Sequence, residues 1–535
     1  MKIVKRISVL AVIFFVFISV CACDTQPDPQ PQTQEPSTSE QPQTPEAEET
    51  MDIGSQRQVL WDDYIIDTDG TTAVLSVNHP QVADTPIFTF DAPWEGDSCD
   101  YFSIISIPQE DGSTLYRMYY NGWKVDEVEQ SGTSAIKICA IESTDGINWY
   151  RPNYGLHSYE GEDNTNIVMM TPEGFDNFFV FIDQNPDCPP EQKYKAVSEY
   201  LGSDDYAALY GYTSPDGLNW TKGVRLASTA EGTFDSVNTC FYNELDGKYY
   251  LYFRGFHDSD GDGTAETRDI RFKSADSFDM LESSQMQMLE YEDDYDFALY
   301  TNNAMPYFRA PQTIMALPAR YNDHGTTWTP NYDALPDAEE RAQRYETNQR
   351  YATVTTDAIL MISHNGLTFS RFAEAFATAG PEHSGNWLYG DCYFAYGMIQ
   401  TPAEFPDQDD VLSLYSFEGK FSGEPARLYR WTIRMDGFAS YKADYEGKTL
   451  LTKPLVFDGD EMYINFRTSG AGSIVIRVLD ENGQEIEGFH TCELFGDSTD
   501  RLVTFEGGEI SELKGQTVRL EFEMRDAEIY SFIFQ

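Results

Sequence analysis

The sequence has little positive charge. It carries 36 Lys and Arg residues against 89 Asp and Glu residues, so its formal net charge is −53. A surface of this sign repels nucleic acid and anionic lipid, because both carry dense negative charge. The acids are dispersed along the chain rather than grouped, which is typical of a solvated surface. We therefore expect no nucleic-acid partner.

The sequence also lacks the cysteine spacing of metal clusters and any long stretch with helical apolar periodicity. None of the six cysteines after residue 50 forms a CxxC pair, which argues against a zinc cluster. Tyr and Phe, in contrast, each occur 34 times. Aromatic residues favour strands over helices, so we expect an all-β fold. No organic cofactor is expected.

The first residues are typical of an exported protein. Lys2, Lys5 and Arg6 precede an apolar run at 7–20, and Val-Cys-Ala-Cys follows at 20–23. This order of charge, apolar run and small residue defines an export signal. The run is too short to span a bilayer comfortably. A cysteine directly after Ala22 resembles the bacterial lipobox, so residues 1–23 are predicted to be a lipoprotein signal with Cys23 lipidated.

An ordinary cleaved signal or a short anchor is the alternative to lipidation. Residues 24–50 are rich in Pro, Gln, Thr, Ser and Glu and have almost no apolar residue. Such a segment cannot bury enough surface to offset the entropy of ordering, so it is predicted to be a disordered linker. We expect the protein at the bacterial cell surface or in the periplasm, in contact with the membrane through its lipid only.

A short turn pattern recurs through the folded part of the chain. The clear copies are STDGINW at 143–149 and SPDGLNW at 214–220, and weaker copies lie at 274–278, 363–369 and 434–438. Asp-Gly and Asn-Gly are tight-turn signals. Each copy follows an aromatic-rich strand, and the copies are roughly 60–90 residues apart. Residues 51–447 are therefore predicted to form a five-bladed β-propeller. The alternative is a β-sandwich with coincidental turns.

The pattern changes after Lys448. Met462, Ile464 and Phe466 alternate with polar or amphipathic residues, and the same alternation recurs at 518–524. Half-buried antiparallel strands have this pattern. Residues 448–535 are predicted to form a small β-sandwich.

Several runs resemble a bacterial family of predicted glycosidases. They are LWDDYII at 60–66, APWEG at 92–96, FDSVN at 234–238, PYFRAP at 306–311 with LPARY at 317–321, and KPLVF at 453–457 with GAGSI at 470–474. The resemblance covers nearly all of residues 51–535. That family is in turn similar to the five-bladed β-propeller glycoside hydrolases of families 32 and 43, which include fructosidases, arabinofuranosidases and xylosidases.

The resemblance implies catalytic carboxylates at the narrow end of a central funnel. One acid protonates the leaving oxygen and another carboxylate activates water or attacks the sugar. An acid begins each of the first three inner strands, at Asp100, Asp176 and Asp235. In the characterised families the third-blade acid is commonly glutamate, so the general acid stays open here, and Glu95 is the other candidate.

Five further residues are predicted to contact the sugar. Arg309 in the fourth blade and Asp391 in the fifth are candidates to bind hydroxyls or a carboxylate, and Asn238 lies beside Asp235. Trp94 and Trp387 are candidates to stack on sugar faces. A structural ion pair for Arg309 and blade packing for the tryptophans are the alternatives.

A second site is predicted in an acidic loop. Positions 1, 3, 5, 7, 9 and 12 of the loop hold the potential ligands of an EF-hand-type calcium site, with glycine at position 6. These are Asp258, Asp260, Asp262, Thr264, Glu266 and Asp269. Aspartate replaces the usual glutamate at position 12. The spacing predicts a structural calcium, and a solvated acidic loop is the alternative.

The sequence thus predicts a surface glycoside hydrolase that acts on an oligosaccharide or polysaccharide of neutral or weak charge. A non-catalytic glycan-binding lipoprotein is one alternative. A glycoside phosphorylase is another, because Arg268, Arg271 and Arg309 are available for a phosphate pocket.

The anchor prediction is tested by Cys23→Ala. Without the thiol no lipid can be attached, so the variant should leave the membrane fraction and enter the culture medium. Cell fractionation and immunoblotting measure this, with Cys21→Ala as the control that should remain anchored. Membrane retention of the Cys23 variant would contradict lipidation.

Overall fold

The computed structural model describes residues 50–124, 135–202 and 207–535. The predicted signal, Cys23 and nearly all of the linker lie outside the described residues. The described part is almost entirely β-structure, as predicted, and within it no helix is long and apolar enough to cross a membrane.

Five short strands precede the first blade. They are β1 (Met51–Gly54), β2 (Gln58–Val59), β3 (Val74–Val77), β4 (Gln81–Val82) and β5 (Phe88–Thr89).

Three four-stranded antiparallel sheets follow in chain order, and each is one blade. The first blade contains β6 (Asp100–Pro108), β7 (Thr114–Gly122), β8 (Lys137–Ser143) and β9 (Ile167–Met169). The second contains β10 (Phe175–Ile182), β11 (Tyr194–Tyr200), β12 (Ala208–Ser214) and β13 (Thr221–Ala227). The third contains β14 (Thr239–Asn243), β15 (Lys248–His257), β16 (Thr267–Ala275) and β17 (Gln287–Met288). Short 3₁₀ turns lie at Pro190–Gln192 and Asp279–Ser283.

The fourth blade has an insertion. Its sheet contains β18 (Glu290–Tyr291), β19 (Met305–Tyr307) and β20 (Ala310–Ala316), and after the insertion β23 and β24. The insertion is a separate two-stranded sheet of β21 (Ala319–Asp323) and β22 (Val354–Ala358), with three helices between them: α1 (Pro330–Ala334), α2 (Ala338–Thr347) and α3 (Arg350–Thr353). The blade ends with β23 (Met361–Ser363) and β24 (Thr368–Arg371).

The fifth blade closes the ring with strands from both ends of the propeller. It contains β25 (Ile399–Thr401), β26 (Val411–Glu418) and β27 (Arg427–Arg434). Its outer strand β27 pairs with β4 through Trp431 and Val82, and with β5 through Leu428 and Phe88. The first strands of the chain therefore complete the last blade, and the predicted five-bladed propeller is confirmed.

The recurrent turn pattern has a defined role between blades. In three copies the serine Oγ accepts a hydrogen bond of 2.9 Å from the glycine N–H, and the glycine has positive φ; the glycines are Gly146, Gly217 and Gly366. The carbonyl of each glycine accepts a hydrogen bond from a buried tyrosine on the second strand of the preceding blade. The pairs are Tyr415 to Gly146 (2.6 Å), Tyr119 to Gly217 (2.8 Å) and Tyr252 to Gly366 (2.7 Å). A side chain at these glycines would press against the tyrosine hydroxyl.

The rest of the chain joins a ten-stranded sheet. Its C-terminal strands are β28 (Ala439–Ala443), β29 (Lys448–Leu451), β30 (Leu455–Phe457), β31 (Met462–Asp480), β32 (Glu485–His490), β33 (Asp497–Leu502) and β34 (Val518–Phe534), with a 3₁₀ turn at Ile510–Leu513. Strands β1, β2 and β3 belong to the same sheet, so it contains chain from both sides of the predicted propeller. It also begins before residue 448, at β28.

The long strands of this sheet bury alternate residues. In β31 the side chains of Ile464, Phe466, Ile474 and Ile476 are buried, and the register with β34 shifts between Thr468 and Ser473. Residues on both sides of this irregularity belong to one apolar cluster. The alternation predicted from the sequence is thus present, while the two-layered sandwich stays a prediction.

Candidate active site

Two of the three predicted catalytic acids share a backbone feature with polar residues of two other blades. In four blades a polar residue at or before the first strand of the blade is followed by a residue with a positive φ of 48–59°. The pairs are Asp100 and Tyr101, Asp176 and Asn177, Asn302 and Asn303, and Asp391 and Cys392. In the first two blades the ladder register shifts at the same place. Such a bulge re-aims the neighbouring side chains. The repeat therefore fixes the direction of these polar residues, as well as their position in the sequence.

Asp100 lies deepest. Its side chain is fully buried, and Lys420 Nζ lies 2.7 Å from its Oδ2. Trp123 Nε1 donates to its Oδ1 at 3.4 Å. Burial raises the pKa of Asp100, although Lys420 and the hydrogen-bond donors act in the opposite direction. Sequence reasoning missed Lys420, which lies beyond β26, more than three hundred residues from its partner.

Asp176 is partly exposed and adjoins Asp100. Its Oδ1 accepts a hydrogen bond of 3.0 Å from Asn121 Nδ2, and Asn121 pairs with Asp100 in the β6–β7 ladder. Burial, together with the negative charge of Asp100, raises the pKa of Asp176 to about 7. This carboxyl group therefore retains a proton near neutral pH in a position that solvent reaches.

Glu199 is a third acid beside Asp100 and Asp176, and the sequence analysis did not predict it. It lies on β11 directly opposite Asp176 and is 5% exposed. Burial and the neighbouring Asp176 raise its pKa to about 8, while Arg254 acts in the opposite direction. Only the strand register brings it beside Asp176, because it stands on a second strand without any motif of its own.

Asp235 is the most exposed of the three predicted acids. Its side chain is 48% exposed and contacts Arg254, which is 3% exposed. The backbone carbonyl of Asp235 accepts a hydrogen bond of 3.1 Å from the Tyr300 hydroxyl. Asp235 precedes β14 and has no positive-φ residue after it, so it does not share the bulge of Asp100 and Asp176. Arg254 acts on both Asp235 and Glu199, so it connects Asp235 with the other acids.

Glu95 does not lie at this solvent-accessible cluster. It is fully buried, and its carboxylate binds the Tyr120 hydroxyl, the Ala92 N–H and the guanidinium of Arg151. Its oxygens are thus occupied by structural partners. The neighbouring Trp94 is also buried, where its Nε1 donates to Asn166 Oδ1 at 2.7 Å. Both residues have their partners within the first blade, and for Trp94 this agrees with the blade-packing alternative.

Two of the predicted sugar-binding residues have internal partners. Arg309 Nε lies 2.9 Å from Oδ1 of the buried Asp436. That carboxylate also binds Tyr307 and Ser531, so Arg309 belongs to the contact between the propeller and the C-terminal sheet. Asn238 is fully buried, and its Nδ2 donates to two backbone carbonyls.

The fifth-blade candidates hold their own loop. Asp391 Oδ2 accepts a hydrogen bond of 2.8 Å from the Leu388 N–H, and burial raises its pKa to about 8. The half-buried Trp387 donates from Nε1 to the Gly380 carbonyl at 2.9 Å. The structure gives both residues roles in the loop before β25.

Aromatic rings and cations surround the acids. Lys420 Nζ lies 5.1–5.9 Å from the centroids of five rings, those of Tyr101, Trp123, Tyr389, Tyr393 and Phe421. Burial alone would raise the pKa of Tyr389, but the cations Lys420 and Arg350 outweigh it and lower that pKa. Tyr101, Tyr389, Tyr393 and Phe421 are themselves buried, so the rings and Lys420 form a largely buried wall beside Asp100.

The acidic loop brings three of its predicted ligands together. Carboxylate oxygens of Asp258, Asp260 and Asp262 lie within 4.8 Å of one another and are exposed. Asp258 accepts hydrogen bonds of 2.8 Å from the N–H groups of Gly261 and Gly263, which lower its pKa. Asp269 is buried instead and pairs with Arg271, so the structure does not place it with the other three. Glu266 is not among the three clustered acids, and a ligand role for the Thr264 carbonyl stays a prediction.

Comparisons with known proteins give weak similarity at the level of the fold. No family model and no curated protein matches the chain. Matched structures include a family 43 arabinoxylan arabinofuranohydrolase from Bacillus subtilis, with a TM-score of 0.28, 10% identity and coverage of 81% of this chain and 79% of that one. Another is the Bombyx mori family 32 β-fructofuranosidase, with a TM-score of 0.37, 9% identity and coverage of 86% of this chain and 94% of that one. A third is a mannose phosphorylase from Leishmania mexicana, with a TM-score of 0.38, 12% identity and coverage of 66% of this chain and 89% of that one. These values assign no activity; the class of the protein, a five-bladed β-propeller, follows from its own strand topology.

The raised pKa of Asp176 predicts a pH-dependent stability. An acid whose pKa rises from 3.8 to about 7 on folding costs the folded protein free energy once pH exceeds the lower value. The stability that protonated Asp176 contributes at low pH is therefore lost as the pH rises from about 4 to about 7. Asp176→Asn is neutral throughout, so its free energy of unfolding relative to wild type should increase from pH 5 to pH 8, as measured by denaturant titration.

Asp480→Asn is the control for this experiment. The Gln484 N–H lowers the pKa of Asp480, so this group is charged at both pH values in folded and unfolded chains. The free energy of unfolding of Asp480→Asn should differ from that of wild type by the same amount at pH 5 and pH 8. An Asp176 variant with that same flat behaviour would contradict the raised pKa.

Proposed function

We propose that the protein is a glycoside hydrolase whose reaction uses Asp176 and Asp235. The observation that carries the proposal is the difference between carboxyl environments within one cluster. Asp176 is partly exposed and has a pKa of about 7, whereas Asp235 is half-exposed and paired with Arg254. A glycosidase needs one protonated acid and one charged carboxylate, and environments that separate two carboxyl groups in this way supply them.

In this proposal Asp176 donates its proton to the glycosidic oxygen as the bond breaks. The carboxylate of Asp235 accepts a proton from the attacking water, or attacks the anomeric carbon itself. Asp100 is a positioning residue: it is buried, is held by Lys420, and raises the pKa of Asp176 through its charge. Glu199 lies opposite Asp176 on β11, and burial together with Asp176 raises its pKa to about 8.

The alternatives differ in what they require of these groups. A non-catalytic glycan-binding protein requires aromatic platforms but gains nothing from buried like charges, which cost stability. The clustered acids therefore favour an enzyme. A glycoside phosphorylase remains the second candidate, because cations border the same cluster. The arginines concerned are Arg254, Arg268 and Arg350 rather than Arg309 and Arg271, whose partners are acids elsewhere.

Asp176→Asn and Asp235→Asn should each retain the fold and lose hydrolysis. Asparagine has nearly the size of aspartate but neither donates nor accepts the catalytic proton, so the rate should fall about 10²–10⁴-fold. Purified residues 51–535 are assayed against aryl furanosides, aryl pyranosides and plant and algal polysaccharides, and melting temperatures are compared.

Asp480→Asn, on the C-terminal sheet, serves as the matched control and should hydrolyse at the wild-type rate. If the Asp235 variant hydrolyses the substrate as fast as this control, Asp235 has no part in the reaction.

The cell-surface location and the calcium site belong to the same proposal. Surface anchoring is supported by the signal pattern and Cys23. Calcium is supported by the three converging carboxylates of Asp258, Asp260 and Asp262, which are hard oxygen ligands. The metal would stabilise the loop between β15 and β16 and would take no part in hydrolysis. Water or backbone carbonyls would complete its coordination in place of Asp269.

The calcium proposal predicts a metal-dependent melting temperature. A metal that binds only the folded chain stabilises it, so EDTA should lower the melting temperature and added calcium should restore it. The double variant Asp260→Ala and Asp262→Ala should lose this response, whereas Asp111→Ala, in an exposed turn of the first blade, should keep it. A wild-type melting curve that is indifferent to both EDTA and calcium would reject the site.

A further inference from the structure

Two arginines beside the acid cluster have no acidic partner. Among the described residues, no carboxylate lies within 4.0 Å of the Arg268 or Arg350 guanidinium, although the chain carries 89 acids and only 36 Lys and Arg residues. The Nε atoms of both are buried without a hydrogen-bond acceptor. In so acidic a protein, cations normally find carboxylates. Within the described part of the chain, the charge of these two arginines is therefore not balanced by a direct ion pair.

The two arginines rest on tyrosine rings instead. Arg268 Cζ lies 3.7 Å from the ring centroid of Tyr321, and Arg350 Cζ lies 5.9 Å from that of Tyr389. The rings of Tyr300, Tyr321 and Tyr389 are 6.0–6.1 Å apart, centroid to centroid. The two guanidiniums thus border one cluster of three rings.

A third arginine connects this cluster to Asp235, the proposed catalytic carboxylate. Arg254 and Arg268 lie 5.0 and 5.4 Å from the Tyr300 ring, and Arg254 also contacts Asp235. On the third blade, Arg268 pairs with Phe256, two residues beyond Arg254, so both arginines are on one face of the β15–β16 hairpin. Arg350 comes from α3 in the insertion of the fourth blade. Three separate segments therefore bring positive charge to the same border of the site.

We propose that Arg268 and Arg350, with Arg254, form a subsite for an oxyanion that binds together with the sugar. The guanidinium group presents planar N–H donors that match the oxygens of a carboxylate, sulfate or phosphate. Stacking on tyrosine fixes each guanidinium without occupying it with an acid. The lowered pKa of Tyr389 agrees with a positive potential at this place, since burial alone would raise it.

This inference rests on the proposed function and narrows its substrate. The oxyanion has two possible sources with one chemistry. It is either a carboxylate or sulfate carried by the glycan, or inorganic phosphate that takes the place of water as the attacking group. In the first case the substrate is an acidic glycan instead of the neutral one expected from the sequence. In the second, phosphate forms the new bond to the anomeric carbon, and the leaving sugar oxygen takes the proton of Asp176.

The test measures oxyanion binding directly by isothermal titration at constant ionic strength. The probes are D-glucuronate, D-glucose 6-sulfate, inorganic phosphate and, as the neutral comparison, D-glucose. The variants are Arg268→Gln and Arg350→Gln, which remove the charge and keep much of the side-chain length. Arg525→Gln is the matched control, because Arg525 also stacks on a tyrosine, Tyr445, at 4.6 Å, but on the C-terminal sheet.

Wild type should bind at least one oxyanion, and each of the two variants should bind it about tenfold more weakly, since a hydrogen bond to a charged group is lost. Arg525→Gln should bind like wild type. Preference for glucuronate or the sugar sulfate identifies a substituent of the glycan. Preference for phosphate, with release of a sugar phosphate from the substrate, identifies a phosphorylase.

If no oxyanion binds wild type more tightly than it binds Arg268→Gln and Arg350→Gln, the arginines only pack against tyrosine and the inference is wrong. Arg268→Lys, which keeps the charge, should retain part of the binding and controls for misfolding. Asp176→Asn separates the two proposals, because it should bind the oxyanion without hydrolysis. If wild type hydrolyses the substrate but binds no oxyanion, only the subsite is wrong. If Asp176→Asn binds the oxyanion like wild type and still hydrolyses the substrate, only the catalytic assignment is wrong.

Discussion

The hydrogen bond from a buried tyrosine hydroxyl to a glycine carbonyl of the next blade is the contact on which the propeller depends. It recurs at three of the blade boundaries, from Tyr415 to Gly146, from Tyr119 to Gly217 and from Tyr252 to Gly366. Each bond needs a glycine for two reasons, the positive φ of the turn and the closeness of the hydroxyl. Loss of such a buried bond costs about 1–3 kcal/mol at a boundary between two blades.

Aligned blades bring the starts of their inner strands together, and this convergence gives the site its electrostatics. Asp100 and Asp176 would separate in an open chain, but the ring holds them within each other's field, together with Glu199. Lys420, from the last blade, compensates Asp100 of the first, so the closure of the ring also completes the charge balance. Burial, together with the charge of Asp100, raises the pKa of Asp176 to about 7, so this carboxyl group is partly protonated near neutral pH.

The sequence predicted the fold from local signals, whereas the partners of the candidate site residues depend on distant segments. The turn motifs predicted the five blades, which the structure confirms, and the strand starts predicted Asp100, Asp176 and Asp235 as catalytic acids, a role that stays a prediction. Glu95 and Arg309 stood in equally conspicuous motifs, yet their partners are Arg151 and Asp436. A charged residue in a motif looks the same whether its partner is a substrate or an ion pair, because the partner lies elsewhere in the chain.

What the sequence by itself determined is therefore periodic: the all-β class, the five turn repeats, the acids at strand starts and the spacing of the acidic loop. These features follow from the preferences of neighbouring residues, which need no distant contact. Only the tertiary structure decided that Glu199 faces Asp176, that Lys420 neutralises Asp100, and that Arg254, Arg268 and Arg350 meet around three tyrosines. Strand register and ring closure make those contacts, and both depend on the packing of segments that are far apart in sequence.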